Sequence, residues 1–186
     1  MTQPLVIGYS LTARLLHWAT ALAIFIAIPL AIAAEYAAMP EKGELFFWHK
    51  SFGVLIFVLV AIRAIHRLIN GAPGPHPQLP AVEKFGSQLV HYILYALLIA
   101  VPLGGWLGTS ALGRPPSFFG LFTLPQLLAE NRELGEQIMD IHVIAAFTLG
   151  GLAAFHIIFA LYHGIVRKDG VLTRMVSGTN RGIGPA

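Results

Sequence analysis

The polar residues of this 186-residue chain gather at intervals and leave four long apolar runs, at about 11–34, 45–69, 85–109 and 138–166. Each run is long enough to cross a hydrocarbon core of roughly 30 Å as an α-helix rising 1.5 Å per residue. Helix is the expected form, because backbone groups in lipid must find partners within their own segment. Barrel strands would show runs of about ten residues with alternating polarity, and these runs do not alternate. The pattern predicts an all-α integral membrane four-helix bundle running up-down-up-down, as a single domain over 1–186. The first run reads as a spanning helix rather than a cleavable signal, since it follows a nearly uncharged start and is longer than a signal core.

The predicted connections differ in character. Residues 35–44 are short and acidic. The second connection carries Gly71-Ala72-Pro73-Gly74-Pro75-His76-Pro77, which must be irregular or extended. The third, about 110–137, contains Pro115-Pro116-Ser117-Phe118-Phe119-Gly120-Leu121-Phe122, an aromatic stretch suited to lying at the membrane interface.

Composition strengthens this picture. The chain is 56% hydrophobic and 11% charged, with mean hydropathy +0.70; soluble domains carry about 25% charged residues. Lipid is therefore the expected bulk solvent, and the length leaves no room for a separate soluble catalytic domain. Lys and Arg then set the orientation. Arg14, Arg63, Arg67, Lys84, Arg167, Lys168, Arg174 and Arg181 fall on one side against Glu83 and Asp169, eight against two, or +6. Lys42, Lys50, Arg114 and Arg132 face seven acids on the other, or −3. The positive-inside rule places both termini of this multi-pass membrane protein in the cytoplasm. This asymmetry accounts for the pI near 9.5 without any nucleic-acid partner. The absence of cysteine excludes disulfides, thiolate metal sites, Cys-ligated iron–sulfur clusters and covalent haem attachment.

The histidines are the candidate chemistry, because polar side chains inside a span are expensive and tend to be functional. His49 and His142 each lie about one turn inside the acidic-side ends of spans two and four, and His17 lies just inside the basic-side end of span one. His156 follows His142 by 14 residues, which is roughly 21 Å along the helix and about 40° short of four full turns. His142 and His156 thus leave one face of one helix, near opposite surfaces. That arrangement suits two stacked haems, each taking one ligand from span four and the other from a facing span. His49 matches the depth of His142, and His17 roughly that of His156. On the basic side the spacing leaves His91 and His163 open as alternatives. His66 is some 100° off the His49 face, and His76, in the Pro-rich loop, is expected to be solvated. Gly53, one turn beyond His49, and Gly150-Gly151, between the span-four histidines, could let a flat macrocycle approach the backbone; glycines also serve plain helix contacts.

Zinc would want three or four converging ligands, often with carboxylates. The span interiors carry Asp or Glu only near their ends. A histidine-lined metal-ion transporter is therefore the weaker alternative. Motifs for nucleophilic hydrolysis and phosphate loops are missing from the sequence.

The order of these motifs resembles the bacterial cytochrome b-561 family across Tyr9–Met175. The matching pieces are His17-Trp18, His49 with Gly53, Arg63 and Arg67, His91, and Pro102 with Gly105. They continue with Gly113-Arg114-Pro115, Phe119-Gly120-Leu121, His142, His156, His163 and Lys168-Asp169 to Arg174-Met175. The resemblance implies two bis-histidine b haems, with His17 paired to His156 on the cytoplasmic side and His49 to His142 on the periplasmic side. One departure is Asp140-Ile141-His142-Val143, where the family often has an aromatic-His-acid run. Such a protein carries single electrons across the membrane, exchanging with quinone and with superoxide or a periplasmic redox partner outside. Haem propionates would pair with cations: Arg14, Arg63 and Arg67 are candidates inside, and Lys50 and Arg114 outside. For the inner arginines, snorkelling and orientation explain the positions equally well. His91 is the candidate polar contact for quinone. A membrane-anchor electron-transfer subunit of a separate dehydrogenase is the alternative, with the aromatic third loop as its docking surface.

Overall fold

The computed structural model describes residues 8–74, 76 and 79–178. Pro75, Pro77 and Arg181, cited above, lie outside the described residues. Four long helices dominate: α1 Leu11–Tyr36, α2 Glu41–Asn70, α3 Ala81–Ala111 and α4 Arg132–Leu161. The last runs on into a π-helical turn, Tyr162–Arg167, and a short α5, Thr173–Val176, follows. All four long helices are long and apolar enough to cross a membrane. The protein is a helical bundle with multiple spans.

The helices extend beyond the apolar runs because helical conformation continues into the polar turns until a cap stops it. α4 starts at Arg132, where the Asn131 side chain accepts a hydrogen bond from the Leu134 N–H at 3.0 Å. Glu41 and Glu44 occupy the first turn of α2, where the helix dipole favours negative charge. Gly71, at φ 70°, takes the left-handed conformation that ends α2.

The chain packs as two antiparallel hairpins. Extensive contacts join α1 to α2 and α3 to α4, and a smaller set joins α2 to α3; α4 makes none as extensive with α1 or α2. The buried core is Ala23, Ala27, Ile56, Val60, Leu98, Val101 and Leu149. Outer faces stay apolar and exposed, as at Leu22 and Phe25, which is the pattern of helices solvated by lipid. The third connection does not lie loose along the interface. It folds as a tiny antiparallel hairpin, β1 Ser117–Phe118 and β2 Phe122–Thr123, packed against α2.

On the basic side the segment after α4 returns over the start of α1. The Tyr9 N–H bonds the Arg174 carbonyl, Arg14 Nη2 donates to the Val176 carbonyl at 2.7 Å, and Trp18 Nε1 donates to Met175 at 3.2 Å. Arg174 is buried, stacks on Tyr9 and donates to the Gly74 carbonyl at 2.8 Å. This segment therefore clamps the α2–α3 connection.

The expectation of a solvated His76 is corrected by the structure. His76 is 2% exposed, and among the described residues neither of its ring nitrogens has a hydrogen-bond partner. Loop and returning segment close over it, with Gly170 alongside. Burial comes first in holding the imidazole below its usual range; Arg174, His163 and Lys84 add to it, and Asp169 opposes. The folded state thus keeps His76 neutral, while an unfolded loop takes up a proton near pH 6.5. Docking stability from this residue is present above that pH and is lost as pH falls through and below it. Hydrogen exchange at residues 71–74, corrected for intrinsic rates, should rise between about pH 7.5 and about pH 5.5, and a His76→Leu substitution should remove the rise.

Candidate functional site

Two layers of histidine rings face each other across the gap that separates α4 from α1 and α2. In the acidic-side layer, His49 on α2 and His142 on α4 stand with ring centroids 6.2 Å apart and planes at 82°. In the basic-side layer, His17 on α1 and His156 on α4 stand 6.3 Å apart at 71°. One iron bonded at about 2 Å to the facing nitrogens of two imidazoles sets their centroids roughly 6 Å apart. Both pairs have that spacing.

The acidic-side rings are also held in a defined tautomer. His49 Nδ1 lies 2.8 Å from the Ala27 carbonyl of α1, and His142 Nδ1 lies 2.9 Å from the Val101 carbonyl of α3. A carbonyl only accepts, so each Nδ1 carries the proton and each Nε2 presents a lone pair. Close packing fixes the His142 ring further. A Cβ added at Gly105 would sit 3.0 Å from His142 Cε1, so only glycine admits the ring there without displacement. Gly53, by contrast, has nothing within 4 Å of where a Cβ would be, and the same is true of Gly151. These open backbones leave room for a flat macrocycle; Gly150 instead packs toward Ile28.

The basic-side layer is differently furnished. His17 Nδ1 is buried without a hydrogen-bond partner. The His17 ring meets Trp18 edge-on at 5.2 Å. His91 on α3 approaches His156 to 5.1 Å, too close for an iron between them, and its Nδ1 donates to the Ser87 carbonyl at 2.5 Å. Arg63 stands close enough to His17, His91 and His156 to act on all three electrostatically. With Arg67 it stacks on the Tyr95 ring, at 5.1 and 5.9 Å. Arg14 is engaged by the Val176 carbonyl, while its Nε is buried and unpartnered.

The remaining sequence candidates lie apart. His163 turns to a carboxylate cluster: its Nδ1 is 2.6 Å from Asp169 and its Nε2 3.9 Å from Glu83. Arg167 joins both acids, at 2.6 Å to Glu83 and 3.4 Å to Asp169. His163 is the second residue of the π-helical turn that follows α4. His66 joins neither layer; its carbonyl accepts from the Asn70 side chain. On the acidic side, Arg114 borders a cavity of about 330 Å³ with Glu130, Arg132 and Glu136, and acts electrostatically on Lys50. Among the described residues, no group of three or more His, Cys, Asp or Glu side chains converges as an ion site would need. The paired rings, the free Nε2 atoms, the orphaned His17 Nδ1 and the space beside Gly53 fit a b-type haem. The carbonyls of Ala27 and Val101 escape sequence reasoning because any residue supplies one.

Comparison with known proteins agrees. The family model of prokaryotic cytochrome b561 matches residues 8–178. Cytochrome b561 homolog 2 of Escherichia coli K12 is 29% identical over 181 residues, covering 95% of each chain. Cytochrome b561 homolog 1 of the same organism is 30% identical, covering 90% of this chain and 96% of its own. The probable superoxide oxidase CybB of Yersinia pestis is 27% identical, covering 87% and 91%. Four apolar helices, two imidazole layers and a match over almost the whole chain lead to one assignment: this chain belongs to the prokaryotic cytochrome b561 family of haem-binding membrane electron-transfer proteins.

Proposed function

We propose that the protein carries single electrons across the membrane between two b haems, the first held by His49 and His142 and the second by His17 and His156. The observation that carries this reading is the matched ring spacing, 6.2 and 6.3 Å, at opposite ends of one helix. These four histidines would hold the two haems, and a haem held by two imidazoles would supply one-electron exchange without an oxygen-binding site. The protein's own part is orientation and charge. The Ala27 and Val101 carbonyls fix the acidic-side rings and raise their basicity as ligands. Arg63, with Arg67 and Arg14 nearby, is the cation available to a propionate on the basic side; Lys50 and Arg114 serve the other.

Quinone is the proposed partner at the basic-side end. His91 supports this role: Nδ1–H is engaged by Ser87, so Nε2 is free to accept a hydrogen bond from a quinol hydroxyl. On the acidic side the proposed donor is superoxide, as the name of the Yersinia relative suggests. Two superoxide ions would each give one electron and leave as oxygen, and one quinone would take two electrons and two protons to become quinol. Lys50 and Arg114 are the local cations that favour a small anion; Arg132 is paired with Glu136. For the alternative reading as an anchor for a separate dehydrogenase, Phe119 of the third connection packs inward on Trp48 and Phe52, and Leu121 and Phe122 are the side chains left exposed for docking.

A reduced-minus-oxidised spectrum with pyridine haemochrome quantitation tests the haem assignment. The purified protein should hold about two b haems per chain and lose about one in either His49→Ala or His156→Ala; a haem-free protein would refute the reading. Gly105→Val, which drives a branched side chain into the His142 ring, should deplete or spectrally shift only the haem that His49→Ala removes. His91→Phe should keep both haems while slowing quinone reduction by about tenfold or more, read by stopped-flow haem oxidation.

A further inference from the structure

Phe119 has φ 50°, a left-handed conformation that a bulky residue holds only where its surroundings over-determine it. The surroundings are identifiable. Ser51 is fully buried, two residues after His49. Its hydroxyl accepts a hydrogen bond from the Phe119 N–H at 3.1 Å, and the Phe47 and Ser117 carbonyls, each at 2.9 Å, share its single proton. The Phe119 ring then packs edge-on against Phe52 at 5.3 Å and leans on Trp48 at 6.0 Å. Trp48 and Phe52 bracket His49 along α2, so this aromatic cluster borders that histidine.

The other end of the loop is tied to α3. Trp106 Nε1 donates to the Pro125 carbonyl at 2.9 Å, and the Leu127 N–H donates to Ser110 Oγ at 3.3 Å. The loop thus bridges the acidic-side ends of α2 and α3. These are the two helices that carry His49 and Gly105, the glycine packed against the His142 ring. Such a bridge needs only its two anchorages to be stable; it does not need a positive-φ aromatic residue at its tip packed on Phe52, which lies one turn from His49 on α2.

We propose that the β1–β2 hairpin is a fixed cover on the acidic-side haem site, with Phe119 as its plug and Ser51 as the residue that positions it. Water and bulky dissolved reagents are kept from that haem, while electrons and small molecules still reach its edge. The proposal rests on the two-haem reading above. An apolar shell excludes water and disfavours the oxidised, more charged iron, which raises the potential.

The test compares holoprotein of the parent sequence with Phe119→Ala, Ser51→Ala and Phe119→Leu. Haem content is measured first, and the acidic-side wave in redox titration is assigned by its survival in His156→Ala. Phe119→Ala should keep its haems and be reoxidised by ferricyanide about tenfold faster, with a lower potential for the acidic-side haem alone. Ser51→Ala should move both quantities the same way and speed hydrogen exchange across residues 117–123. Phe119→Leu should restore most of the parent behaviour. Full haem content with faster hydrogen exchange, but parent reoxidation rate and potential, would overturn the proposal and leave the hairpin a structural clip. If Phe119→Ala fails to hold haem, Ser51→Ala against Phe119→Leu gives the same comparison. A parent protein without haem would overturn the two-haem reading, and this proposal with it.

Discussion

Two hydrogen bonds from imidazole to backbone carry much of the architecture. His49 of α2 is tied to the Ala27 carbonyl of α1, and His142 of α4 to the Val101 carbonyl of α3. Each helical hairpin therefore orients its own histidine before the two hairpins meet. In a lipid setting an imidazole N–H without a partner costs several times what it does in water, so the ring has little freedom to turn away. The facing nitrogens are left to look across the gap, and the gap exists because α4 leans on α3 and stands off α1 and α2. A site needing one ligand from each hairpin follows from that packing, with α4 contributing to both layers.

The periodic parts of this arrangement were legible in the chain. Apolar runs gave four helices because lipid admits almost nothing else, and fourteen residues between His142 and His156 put both on one face. Spacing alone could not show where the His163 ring is engaged: its partners, Asp169 and Glu83, come from the returning segment and from α3. Tertiary closure was equally invisible. His76 lies in a Pro/Gly-rich stretch that reads as solvated, yet the segment beyond α4 returns 100 residues later to bury it. Phe119 read as an interfacial aromatic, because its link to Ser51 spans 68 residues. His91 was recognisable by depth, but only the ring distances separate it from His17 as a partner of His156.

The two ends of the bundle are built for different company. At the basic side, His91, Tyr95, Arg63 and Arg67 lie on α2 and α3 with exposed apolar neighbours such as Leu89 and Tyr92, where a lipid-dissolved molecule can arrive sideways. Asp169, Glu83, His163 and Arg167 form a polar network one step nearer the water. At the acidic side the chain spends an ordered aromatic hairpin on coverage. In the proposed reading, an end that admits a quinone ring has to stay open to lipid, whereas an end that meets only a small anion can be largely covered.

Between the layers the core is formed by Ala23, Ala27, Ile56, Val60, Leu98, Val101 and Leu149, and the buried Thr20 beside them spends its hydroxyl on the Leu16 carbonyl. Leu149 lies seven residues from His142 and seven from His156, at the midpoint of the path along α4. None of these side chains can bind a proton, and a close-packed apolar layer holds no chain of water to carry one. An electron tunnels through such a layer; a proton does not. In the proposed two-haem path, transfer between the two histidine layers moves charge across the membrane without its proton. Under that proposal the protons that complete a quinol come from the basic-side surface, where the fold gathers Asp169, Glu83 and His163.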